Sequence, residues 1–180
     1  LGLCCFGCDE TEDAETIEYV SLMVDAPGDN EGGTITMTTA SCSSNPDSGF
    51  FEGVFTADDG SLLEIKIKGF STSGTAYQCT QASDNTAGDI GLKFDQCAVD
   101  LTIPNGADSL NSYAMHRRGT EIKDFEYAGD CSISVNYEAP TVTGTITCTG
   151  LVQTDLDGAP RNPIDSSITA SIAQASKFFC

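Results

Sequence analysis

Hydrophobic and polar residues alternate along most of this chain with the period of a half-buried strand. The clearest stretch is Leu63, Ile65 and Ile67, interleaved with Glu64, Lys66 and Lys68. A two-residue period puts every second side chain on one face of a pleated strand, so that face is apolar and the other is wet. Similar short runs rich in Thr, Ile, Val, Phe and Tyr occupy residues 16–24, 34–42, 50–56, 75–81, 90–103, 112–127, 131–137, 142–148 and 166–180. Clusters of Gly, Pro, Asn, Asp and Ser separate them at 25–33, 43–49, 58–60, 82–89, 138–141 and 155–165. Those residue types make turns, through positive φ, fixed φ or side-chain bonds to the backbone. Residues 166–180 could be a strand or a short helix, and the alternation of Ile168, Ala170 and Ile172 favours strand; no other segment reads as a helix. The pattern predicts an all-β fold, an antiparallel β-sandwich or barrel of about eight to ten strands, in a single domain over 16–180.

The cysteines fall in phase with the apolar faces. Cys97 shares a face with Val99, Leu101 and Ile103, and Cys79 shares one with Tyr77. A hairpin folded near residue 88 would set Cys79 opposite Cys97. Cys131 is in phase with Ile133 and Val135, and Cys148 with Ile146 and Val142. A turn at 138–141 would set Cys131 opposite Cys148. Directly opposed residues in antiparallel strands have α-carbons about 4.5–5.5 Å apart, within the span a disulfide accepts. Inward-facing cysteines could also bridge two sheets. Cys42 and Cys180 remain, and the expectation is that they join the two ends of the domain.

Nine cysteines in 180 residues are many for a reducing cytosol, and they point to an oxidising compartment. The charge narrows the partners. The chain carries 27 carboxylates against 8 Lys and Arg, a net charge of −19. Residues 1–65 hold 14 of the carboxylates and no basic residue. Such a surface repels phosphate backbones and anionic lipid headgroups, so nucleic acid is not an expected partner. No apolar run reaches the length needed to cross a bilayer as a helix.

The chemistry-bearing residues are sparse. The lone histidine, His116, stands beside Arg117 and Arg118, the one concentrated basic spot, and could hold an anion or a neighbour's carboxylates. There is no Gly-x-Ser-x-Gly elbow, and no carboxylate pair stands out by spacing. Tryptophan is absent, and no aromatic ladder of the kind that stacks sugars is visible. The expectation is a protein that is not an enzyme. Calcium is the one cofactor the loops suit, through oxygen ligands at Asp84, Asp89, Asp155 and Asp157. None of these loops follows the twelve-residue EF-hand pattern.

The first eight residues, Leu-Gly-Leu-Cys-Cys-Phe-Gly-Cys, are apolar and small, end on Cys8, and switch at once to Asp9, Glu10, Glu12, Asp13 and Glu15. This stretch resembles the cleavage region of bacterial exported lipoproteins, in which a small residue, here Gly7, precedes the cysteine that receives the lipid. Cys5 and Phe6 depart from that pattern. The resemblance implies lipidation at Cys8, with residues 1–15 as signal remnant and acidic tether, and membrane contact only through the lipid. Like charges along the tether repel and cannot build a core. The leading expectation is therefore an exported, non-enzymatic protein of the cell envelope or exterior, with a binding or structural role. One alternative is a subunit of an extracellular fibre or surface layer, in which the N-terminal segment completes a neighbour's sheet. Another is a secreted calcium-dependent binding module or hydrolase.

Overall fold

The computed structural model describes residues 19–25, 33–73, 75–79, 96–104, 110–114, 130–154 and 169–180. They form eleven strands and no helix. These are β1 (Val20–Asp25), β2 (Gly33–Met37), β3 (Thr39–Asn45), β4 (Phe50–Thr56), β5 (Leu62–Lys68) and β6 (Thr75–Cys79), followed by β7 (Cys97–Pro104), β8 (Leu110–Ala114), β9 (Asp130–Glu138), β10 (Thr141–Thr154) and β11 (Thr169–Phe179). Every pairing is antiparallel. The all-β expectation holds, with eleven strands rather than eight to ten.

The strands form one hydrogen-bonded network that folds into two layers at β10. The first layer runs β2-β1-β11-β10-β9-β6, and the second runs β3-β4-β5-β7-β8-β10. Strand β10 serves both: Thr141–Thr149 pair with β9, and Val152–Thr154 pair with β8. Gly150 stands between these two stretches with φ +64°, a left-handed conformation that costs a side-chain-bearing residue free energy. The register with β11 also shifts between Cys148 and Leu151. The turn from one layer to the other is thus made at a glycine.

On the far side the chain itself joins the layers. Residues 34–42, expected as one strand, divide at Thr38. Ile35 and Met37 are buried in the first layer, and beyond them the apolar phase ends. The Thr38 N–H then donates to the Thr56 carbonyl at 3.1 Å, and its hydroxyl bonds Asp58 Oδ1 at 3.0 Å, both in or beside the second layer. The apolar run had already ended at Met37, and that was the signal of a break.

The inner faces interdigitate. Phe51 and Phe55 of β4 meet Phe178 of β11 with ring centroids 6.2 and 6.0 Å apart. All three are buried, and burying each stabilises the fold by about 1.5–3 kcal/mol. Phe178 reaches them by lying across Gly144, its register partner on β10. A Cβ at Gly144 would stand 2.5 Å from both the Phe178 ring and the Ser134 carbonyl oxygen.

Three disulfides join Cys42–Cys180, Cys79–Cys97 and Cys131–Cys148, with Cα–Cα distances of 6.1, 4.5 and 4.1 Å. These are the pairs the phase argument assigns, but one of them has a different geometry. Cys131 and Cys148 are register partners on β9 and β10, as a hairpin requires. Cys79 and Cys97 are not hairpin neighbours. Both edges of β7 are taken, by β5 and β8, while β6 pairs with β9. The Cys79–Cys97 bond therefore crosses between the layers. Phase alone could not separate the two cases, because opposed cysteines face the core in both.

Two measurements follow from this packing. Gly144→Ala should lower stability by about 1–3 kcal/mol through overpacking, read as a fall in the urea midpoint; an unchanged midpoint would contradict the close approach. The bridges at Cys79–Cys97 and Cys131–Cys148 span sequence separations of 18 and 17, against 138 for Cys42–Cys180. Chain entropy predicts a loss of about 3 kcal/mol on removing either short one and nearer 5 for the long one. Urea unfolding of the three paired Cys→Ala variants should give that order, and a reversed order would refute it.

Candidate functional site

The two layers present unlike outer faces. On the second, the Lys66 ammonium lies 2.6 Å from Glu64 Oε1 and 3.4 Å from Glu52 Oε1. Asp100 is the register partner of Glu64, and Asp47, Asp58 and Asp59 stand in the adjoining turns. These side chains are half-buried at the surface, and surface pairs of this kind contribute about 0–1 kcal/mol each. The face is acidic, in keeping with the composition.

The first layer's outer face is built from hydroxyls. Strand alternation sends Ile146 and Cys148 inward and Thr143, Thr145 and Thr147 outward. Register then sets these in rows that cross the strands. One row runs Thr36–Ser21–Lys177–Thr145–Ser134–Ala76, through β2, β1, β11, β10, β9 and β6. A second contains Phe179, Thr143 and Asn136, and Tyr19 extends it by accepting the Phe179 N–H at 2.7 Å. The Tyr19 and Phe179 rings lie 6.2 Å apart at 32°. Phe179 is 42% exposed, one of four large hydrophobic residues left in water among those described. A groove of about 480 Å³ opens here, lined chiefly by Tyr19, Ser21, Thr143, Thr145, Lys177 and Phe179. Lys177 is exposed and makes no salt bridge among the described residues.

A second candidate surface is the free edge of β3. All seven of its residues pair with β4, and no strand pairs its other side among the described residues. Six of the seven are exposed. The sequence Thr-Ala-Ser-Cys-Ser-Ser-Asn carries none of the lysines, charges or prolines that commonly blunt an edge. The edge of β6 is treated differently: the Gln78 N–H there donates to the Gln96 side chain at 2.9 Å.

The expected disulfide cysteines are all in place. Cys8, His116, Arg117, Arg118, Asp84, Asp89, Asp155 and Asp157 lie outside the described residues. Among the described residues, no group of three or more His, Cys, Asp or Glu is placed to hold a metal ion. Sequence reasoning did not single out Tyr19, Lys177 and Phe179, which the structure brings to one groove. The two rings come from opposite ends of the chain, and only the β1–β11 pairing brings them together. The usable signal was the outward Thr-x-Thr phase in β10, with Lys177 and Phe179 alternating against buried Phe178.

The fold and its bridges define a disulfide-bonded antiparallel β-sandwich. A scan against protein-family models gives no match, and searches of curated proteins and of solved structures give none.

Proposed function

We propose that this chain is an exported, non-enzymatic protein of the cell envelope or exterior, held to a membrane by a lipid on Cys8, whose sandwich serves as a binding module. The observation that carries this reading is the set of three disulfides, two of which bond one layer to the other. Such bonds persist in oxidising compartments. The acidic stretch after Cys8 supports a tether, since its like charges repel one another. The hydroxyl face with its groove supports binding as the role.

Intact mass of the protein recovered from bacterial membranes tests the anchor. The expected product begins at Cys8 and carries the mass of attached acyl chains. A product with residues 1–7 still present and an unmodified Cys8 would overturn the lipoprotein reading.

The open edge of β3 favours a second reading, assembly by strand addition into a fibre or layer. Under that reading the protein forms oligomers in sedimentation at raised concentration. Ser44→Pro, which removes a backbone donor on the open side of β3 because the β4 ladder uses its neighbours Ser43 and Asn45, returns it to monomer. A wild-type monomer at all concentrations would retire the assembly reading.

A further inference from the structure

We infer that the groove on the outer face of β1, β11 and β10 binds a neutral polysaccharide, with Phe179 as the stacking ring and the half-buried Tyr19 beside it. The inference deepens the binding-module reading above and rests on it. A pyranose ring has an apolar face of C–H groups and a rim of hydroxyls. A site for it needs an exposed aromatic surface beside groups that both donate and accept hydrogen bonds.

The groove supplies both. Phe179 is 42% exposed, and the half-buried Tyr19 ring, packed against the core, stands beside it at 6.2 Å. Aromatic rings contribute large apolar area at low conformational cost. Ser21, Thr143 and Thr145 line the same groove, and each hydroxyl is at once a donor and an acceptor, as a sugar hydroxyl is. The Lys177 ammonium adds three donors at the centre of the row.

The spacing suits a chain rather than a single ring. Neighbouring strands lie about 4.8 Å apart, close to the length of one sugar unit. A polysaccharide laid across β1, β11, β10 and β9 would meet Ser21, Lys177, Thr145 and Ser134 in succession, one per strand. A groove open along the sheet surface admits a long chain without an end having to enter first.

Charge selects the neutral class. The chain carries −19 overall, so a uronate or sulfated polymer would be repelled over its length. One lysine offsets a single carboxylate, not a row of them. A neutral chain meets no such barrier, and Lys177 then serves as a hydrogen-bond donor to hydroxyl oxygens.

The test is affinity electrophoresis of the full oxidised chain in gels containing hydroxyethyl cellulose, laminarin, mannan or glycol chitin, with polygalacturonate as the anionic comparison. Retardation by at least one of the neutral polymers is expected. Phe179→Ala should weaken it by about tenfold, as the loss of one stacking contact implies. Lys177→Ala and Thr145→Ala should weaken it less. Phe179→Tyr should retain it, and Glu52→Gln on the opposite face should leave it unchanged. Non-reducing mass analysis of each variant checks that the bridges have formed, so that loss of binding is not loss of fold.

The inference is overturned if none of the neutral polymers retards the protein. It is also overturned if Phe179→Ala binds like the parent, if only polygalacturonate binds, or if the groove variants change oligomeric state instead, which would mean a second copy covers the face. A chain that carries its lipid yet binds none of these glycans would refute this inference and leave the exported reading standing. A chain that binds them without a lipid on Cys8 would support this inference and overturn the anchor alone.

Discussion

The covalent crossing between the two layers is the constraint on which this structure depends. Cys79, Cys131 and Cys148 stand side by side on β6, β9 and β10, each the register partner of the next. Cys97 faces Cys79 from β7 in the other layer. The Cys79–Cys97 bond therefore ties the edge strand of one layer to an interior strand of the other. At the end of β11, Cys42–Cys180 makes a second tie between the layers. With Gly150 turning β10 on one side and Thr38 carrying β2 into β3 on the other, the sandwich is held at its corners as well as through its core. With the layers clamped and the apolar residues turned inward, the outer face of the first layer is polar.

That polarity bears on function. The inner faces hold Phe51, Phe55 and Phe178 in mutual contact, while the outer faces diverge in chemistry. One carries carboxylates around Lys66, which suits solubility in a chain of such high negative charge. The other carries hydroxyls in register, one cation and two adjacent rings. Of the two rings, Tyr19 packs half-buried against the core and Phe179 is left 42% exposed beside it.

Much of the architecture was readable from the chain because it is written in a two-residue period. Leu63, Ile65 and Ile67 point inward and Glu64 and Lys66 outward, as the alternation requires. The turn at Asp58-Asp59-Gly60 and the hairpin carrying Cys131 and Cys148 follow from local signals. The β6–β9 pairing could not be read, because it joins segments far apart in sequence and the pattern says which face is apolar without saying which edge meets which. The same limit hid the groove: Tyr19 and Phe179 become neighbours only through the β1–β11 ladder. The bridge between Cys79 and Cys97 was assigned from phase, although the hairpin drawn for it does not form.

Two arrangements of the clustered cysteines are therefore open to decisive separation. Cys79 has Cys131 beside it on the neighbouring strand and Cys97 opposite it in the other layer, and only the second arrangement clamps the sandwich. Proteolysis of the native protein without reduction, followed by mass spectrometry of the linked peptides, reads the choice directly. The account predicts fragments joined through Cys79–Cys97 and Cys131–Cys148. Fragments joined through Cys79–Cys131, or free thiols at these four positions, would contradict it.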